Sequence, residues 1–286
     1  MNHMLRHLKG PQFLLLRRTC RCDGAKWVSK CHEGVTCSSC AHSLVPMCCS
    51  VVNRCGKSTF VDILAGKKSK PYGGHVFLNG HPRDKMYDLV TAYVPQTDVM
   101  PEQWTVEEAV MFNFMLRRPM PKLLTECDAA PVVELVLESL GLDNVKGMKI
   151  GGASARGISG GQRRRVTLAR GLATGAHVLF CDEPTSGLSS TDAEVVIRRL
   201  KLISKRLGIT FVVVIHQPKP EVAALFNRLI LFAPDPGRVV YNGLMSEAFP
   251  HYESVGFPVP AYANPADHFI DMVIRYRGGH CLIQHF

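Results

Sequence analysis

The sequence predicts an α/β fold: a mostly parallel central sheet, a small antiparallel β subdomain, and a helical subdomain inserted between the strands. Three observations predict it. "HVLFCDEP" and "ITFVVVIHQP" are continuous apolar runs, the pattern of strands covered on both faces. Between them Val196, Ile197, Leu200, Ile203 and Leu207 stripe an amphipathic helix closed by Gly208, so strand, helix and strand alternate as a parallel sheet requires. Residues 101–150 instead show helical periodicity cut by proline and glycine, as in "TVEEAVMFNFMLRR" and "PVVELVLESLGL". A helical insertion spanning about 101–172 follows from that pattern.

The first 55 residues stand apart. The chain of 286 residues is 46% hydrophobic and 20% charged, ordinary for a globular protein, and its formal charge is +10. That excess sits at the ends: residues 1–54 hold 8 Lys/Arg against 2 Asp/Glu, and Arg275 and Arg277 add two more. The stretch between is nearly balanced, so no basic face for nucleic acid is expected. Eight of the 11 cysteines also fall before Gly56. Cys20, Cys22, Cys37 and Cys40, with His32 and His42, are enough ligands for zinc, but their spacings match no common finger. The segment reads as cysteine-rich, basic and poorly specified, with no strand around Trp27, and the change of composition before Gly56 reads as a join. "FLLL", Phe13 to Leu16, falls far below the ~20 apolar residues of a membrane helix. No other run reaches that length, so no membrane span is expected.

From Gly56 onward the elements follow in order. After "GKST", Phe60, Ile63 and Leu64 share one helical face, which predicts a loop leading into a helix at the glycine-lysine pair. "GGHVFLNGHP" predicts an antiparallel hairpin, and "LVTAYVPQ" a strand that stops at Pro95. The helical insertion comes next, then "HVLFCDEP", the striped helix and "ITFVVVIHQP". In such sheets ligands bind beyond the carboxyl ends of the strands. Gln96, Asp182, Glu183 and His216 all stand there, and Gly56 follows a strand that is poorly written.

The chemistry begins at "VVNRCGKST", Val51 to Thr59. A phosphate loop asks for G-x-x-x-x-G-K-[ST], whose glycines let backbone N–H groups turn inward while the lysine and hydroxyl meet phosphate and Mg²⁺. Gly56, Lys57 and Ser58 fit, whereas Val51 replaces the first glycine and Arg54 an inner position. Asp182 and Glu183 suit a magnesium-linked carboxylate followed by a base. "ISGGQRRRVTLARGL" sets Ser159, Gly160, Gly161 and Gln162 at the start of a basic helix, an anion-friendly end, and a plain cap would need the serine but neither the glycines nor Gln162. Gln96 and His216 are compatible with the same site or with structural roles.

In that order, "GKST", "YVPQ", "ISGGQ", "LFCDEP", "SGLS" and "VVVIHQP" resemble the ATP-binding cassette family of P-loop NTPases. "TAYVPQTDVM", "VVVIHQPKPEV" and "YESVGFPVPAYANPADHFIDMV" resemble its G subfamily. The resemblance runs from Gly56 to Val273. It implies an ATPase domain over 56–274, a basic tail over 275–286, and ATP with Mg²⁺ as ligands. Gly56, Lys57, Ser58 and Thr59 would hold phosphates, Ser58, Asp182 and Gln96 the metal, Glu183 would be the general base, and His216 would contact the γ phosphate. Ser159, Gly160, Gly161 and Gln162 would face the nucleotide of a second cassette, in a homo- or heterodimer. A membrane domain of a G-type half transporter would complete an exporter, with the cassette on the cytosolic face of the membrane. Three departures qualify the match: Val51 and Arg54, Ser189 where the family has aspartate, and no upstream strand carrying an adenine-stacking aromatic. Weak ATP binding is the expectation, and the alternative is a cassette fragment that completes a partner's ATP site without turnover.

Overall fold

The computed structural model describes residues 56–68, 71–117, 126–152, 156–216, 218–233, 238–254, 256 and 268, with backbone alone at 126–128, 233 and 238. Upstream it describes the backbone of four strands: β1 (Phe13–Leu16), β2 (Cys20–Cys22), β3 (Ala25–Trp27) and β4 (Pro46–Ser50). Of the zinc-like set only the backbone of Cys20 and Cys22 is described; His32, Cys37, Cys40 and His42, with Val51, Arg54, the "NPAD" segment and the basic tail, lie outside the described residues.

Helix α1 (Lys57–Ala65) begins at the expected pair and ends at Gly66, whose φ of 73° closes it. The hairpin follows as β5 (His75–Leu78) and β6 (His81–Pro82). Asn79 and Gly80 between them have φ of 52° and 80°, the two positive values that a two-residue type I′ turn demands. Next come α2 (Lys85–Val90), capped by the Asp84 carboxylate, and β7 (Thr91–Val94). The insertion holds α3 (Val106–Arg117), α4 (Glu126–Leu140) and α5 (Gly160–Ala173). Thr105 and Glu108 close the start of α3 reciprocally, the Thr105 N–H donating to the Glu108 carboxylate at 2.8 Å and the Glu108 N–H to the Thr105 hydroxyl at 3.2 Å. Then follow β8 (Val178–Asp182), α6 (Ser190–Leu207), β9 (Thr210–His216), a short α7 (Pro220–Ala223), β10 (Arg228–Ala233), β11 (Arg238–Leu244) and α8 (Met245–Ser254).

The main sheet has the order β11-β10-β4-β9-β8-β7, parallel except for β11. β4 lies inside it, Met47 opposite Val213 on one side and opposite Leu229 on the other. The main sheet therefore continues across the change of composition before Gly56. β1 likewise pairs antiparallel with β5, and Trp27 ends a strand paired with β2. The ladder places these strands where their own composition gives little signal.

Alternation along β8 and β9 builds a core on each face. Val178, Phe180, Val212 and Val214 meet Phe60, Val61 and Leu64 of α1, while Leu179, Cys181, Phe211, Val213 and Ile215 join the core of the helices on the other side. Each such side chain contributes about 1.5–3 kcal/mol of burial. Of the predicted α6 stripe, Val196, Ile197, Leu200 and Ile203 are buried, whereas Leu207 is 54% exposed because the helix ends there. Two guanidiniums finish α4: Arg165 donates to the Leu140 and Gly141 carbonyls at 3.1 and 3.0 Å, and Arg199 of α6 to Ser139 at 3.1 Å. The insertion is thereby tied to the core.

Gly171 sets how closely α5 lies on β7. A Cβ there would stand 2.6 Å from Val94 Cγ2, a short branched side chain that cannot swing away. Gly171→Val is expected to destabilise the fold by about 1–3 kcal/mol, read as a lower urea midpoint with an unchanged slope.

Candidate functional site

Three neighbouring parallel strands deliver the site. β7 releases into Pro95 and Gln96, β8 ends on Asp182 and Glu183, and β9 ends on His216. Because β9, β8 and β7 are consecutive in the sheet, these residues emerge side by side at one edge. Gly56 precedes α1 with φ 86°, a conformation that suits glycine, and no side chain caps that helix. Its first-turn N–H groups therefore point toward the same edge without a side-chain cap. Lys57 is buried, and Ser58 and Thr59 follow it half-buried.

Direct hydrogen bonds join the residues named from sequence. The Ser58 hydroxyl donates to Asp182 Oδ1 at 3.1 Å, and the Gln96 amide Nε2 donates to Glu183 Oε2 at 2.8 Å. Tyr93, on β7, donates to Asp182 Oδ2 at 3.4 Å. Glu183 has φ 44°, left-handed backbone that a non-glycine residue adopts only when its surroundings hold it there. That bend turns its carboxylate off the strand line.

The charges are crowded. Burial pushes the Asp182 carboxyl up; the Ser58 hydrogen bond opposes this, and the Glu183 and Asp62 charges add to it. Burial, followed by the Lys57 charge, pushes the His216 imidazole down, against the pull of Glu183. His216 is therefore neutral near pH 7. A hydroxyl and carboxylates gathered this closely are the hard oxygen donors that Mg²⁺ takes, and a cation there relieves their repulsion. The donor set fits magnesium.

What sequence reasoning missed is Arg164. It lies within the run Arg163-Arg164-Arg165, which reads as an exposed basic helix start, yet its side chain is only 2% exposed. It donates to the carbonyls of Pro95 (2.7 Å), Gln96 (3.2 Å), Asp182 (2.9 Å), Glu183 (3.1 Å) and Pro184 (3.1 Å), and to the Asp98 carboxylate at 2.8 Å. The signal available was helical phase. Leu168 and Gly171, one and two turns further along α5, are buried on the same face.

At the start of α5, Ser159 and Gln162 bond to each other. The Gln162 N–H donates to the Ser159 hydroxyl at 3.2 Å, and the Ser159 N–H to Gln162 Oε1 at 2.8 Å. This corrects the view that a plain cap would not need Gln162, since the glutamine completes a capping box. The glycines are different. A Cβ on Gly160 would meet nothing within 4 Å, and one on Gly161 would meet only Asp192 and Leu188 at 3.8 Å. Ser189 caps α6 by accepting from the Asp192 N–H at 3.1 Å, so the departure at that position still serves the helix.

Arg164→Met is expected to cost about 3 kcal/mol in denaturant unfolding, because methionine leaves the buried Asp182 and Pro184 carbonyls unpaired and the half-buried Asp98 carboxylate without its countercharge. Arg164→Lys should recover only part of this, since a lysine cannot span both strand ends.

Residues 52–186 match the family model of the ABC transporter domain, and residues 216–276 match that of the ABC-2 type transporter. The "broad substrate specificity ATP-binding cassette transporter ABCG2" of Sus scrofa is 39% identical over 220 residues, 76% of this chain and 33% of its own length. "ABC transporter G family member 22" of Dictyostelium discoideum is 38% identical over 224 residues, 76% of this chain and 35% of its own. The chain thus spans about a third of the length of the curated relatives it matches. Among solved structures, cbiO1 from Clostridium perfringens, part of the ABC transporter complex cbiONQ, superposes with a TM-score of 0.65 at 19% identity. That match covers 86% of this chain and 93% of the other, and it shows the P-loop NTPase fold. The chain belongs to the ABC transporter family, as an ATP-binding cassette of its G subfamily.

Proposed function

We propose that this chain binds MgATP at the carboxyl edge of its parallel sheet and hydrolyses it, driving transmembrane export through the membrane domain of a G-type half transporter. The observation that carries this reading is the Gln96–Glu183 hydrogen bond of 2.8 Å beside the Ser58–Asp182 pair at 3.1 Å. It sets an oriented carboxylate next to a hydroxyl and carboxylate suited to a cation. The curated relatives named as ATP-binding cassette transporters give the coupling to transport.

Each residue then has a task. Gly56, Lys57, Ser58 and Thr59 hold the phosphates, through backbone N–H groups, the lysine charge and hydroxyls. Ser58, Asp182 and Gln96 take the magnesium ion, which when bound neutralises phosphate charge. Glu183 is the general base and accepts the proton of the attacking water, with its carboxylate aimed by the Gln96 amide. His216, neutral at pH 7, contacts the γ phosphate as a hydrogen-bond donor.

Ser159, Gly160, Gly161 and Gln162 face the nucleotide of a second cassette, in a homo- or heterodimer. The open space at Gly160 supports this, because nothing within the described residues requires a glycine there. Among the described residues no helix is long and apolar enough to cross a membrane. The cytosolic face of a membrane domain is assigned to the cassette from its likeness to the G-family transporters.

Glu183→Gln is expected to keep MgATP binding within about threefold while lowering phosphate release by about 10²–10⁴-fold, the range a lost general base removes. Lys57→Ala should lose binding itself. Calorimetric titration with MgATP beside a phosphate-release assay separates the two, and turnover that survives Glu183→Gln would sink the assignment.

A further inference from the structure

On that reading, we propose that Tyr93 is a positioning residue for the divalent-cation site, its phenol holding the Asp182 carboxylate in the orientation that faces Ser58. The two oxygens of Asp182 are held from different elements. Oδ1 accepts from Ser58 on α1 at 3.1 Å, and Oδ2 accepts from Tyr93 on β7 at 3.4 Å. A carboxylate fixed at one oxygen turns readily about its last torsion, which is broad. A second donor removes that freedom before a cation arrives.

The hydroxyl, rather than the ring, is what the position requires. Ala92 and Val94 on either side are buried in the helical core, while Tyr93 points to the opposite face and packs beside the α1 core, where phenylalanine would fill the same space. Asp62 stands one turn beyond Ser58 on α1, on the same face, and its carboxylate also acts on the Tyr93 phenol. The phenol has one proton to donate, and Asp182 Oδ2 accepts it at 3.4 Å. Ser58, Asp62, Tyr93 and Asp182 form one polar seam between α1 and the sheet.

The test uses the full chain with Mn²⁺ as the probe cation and ATP present, bound Mn²⁺ being read as the loss of free-ion electron paramagnetic resonance signal beyond that caused by the same ATP concentration without protein. Tyr93→Phe is expected to weaken Mn²⁺ binding by about tenfold, as outer-shell changes do, with metal-free ATP affinity and cooperative unfolding unchanged. A folded Tyr93→Phe variant with wild-type Mn²⁺ affinity overturns the role of Tyr93 and leaves the ATPase reading standing. A wild-type chain that binds neither Mn²⁺ nor ATP overturns both. A second measurement needs no variant: adding Mn²⁺ to the wild-type protein with ATP should perturb a tyrosine in the near-ultraviolet difference spectrum. A spectrum free of any tyrosine change overturns the proposal.

Discussion

The site depends on a buried cation. Removing a guanidinium from water is costly unless every N–H finds an acceptor, and the Arg164 side chain finds six acceptor atoms at the ends of two adjacent strands. The carbonyls it gathers belong to Pro95 and Gln96 after β7 and to Asp182, Glu183 and Pro184 after β8. Strand ends normally diverge once the ladder stops. Here the fork of one arginine keeps them at a fixed separation, and the Gln96–Glu183 hydrogen bond and the left-handed backbone at Glu183 exist within that constraint. Asp98, which also accepts from the Thr167 hydroxyl at 2.7 Å, supplies the countercharge.

Arg164 sits on α5, two residues beyond the capping box formed by Ser159 and Gln162. The same helix therefore carries the group proposed for a second cassette's nucleotide and the clamp on the loops that follow β7 and β8. Gly171, further along, lets α5 lie close enough to β7 for the arginine to reach. Arg165 ties the helix to the end of α4 and Arg199 ties that end to α6, so α5 shifts only with the whole insertion.

How much of this was legible depended on what kind of signal each residue left. Lys57, Ser58, Gln96, Asp182 and Glu183 were readable because strand ends and helix starts mark positions, and their order in the chain is distinctive. β8, β9 and the buried part of α6 were readable from periodicity. β4 was not: "PMCCS" has a proline, a serine and no β-branched residue, and it is a strand because β9 and β10 offer it two ladders. The hairpin of β10 and β11 also went unremarked, since an apolar run does not state which edge of a sheet it will join. Arg164 was hidden by composition, where three consecutive arginines look alike and only helical phase distinguishes the buried one from its half-buried neighbours.

The two glycines at the start of α5 separate local from external cause. Glycine costs a helix roughly 0.5–1 kcal/mol relative to alanine, and a fold accepts this where a side chain would collide or where φ must be positive. Neither reason holds at Gly160, where an added Cβ meets nothing within 4 Å, and at Gly161 the nearest atoms stand at ordinary contact distance. The serine and glutamine beside them have a reason within the chain, the capping box, and so say little about a ligand. The glycines have none within the described residues. What they offer is exposed backbone N–H at a positive helix end that a bulky anion can approach, which this chain's own packing does not use. On the proposed reading, the half of the site around Glu183 is assembled by hydrogen bonds inside one cassette, and the glycine half is the part offered to another.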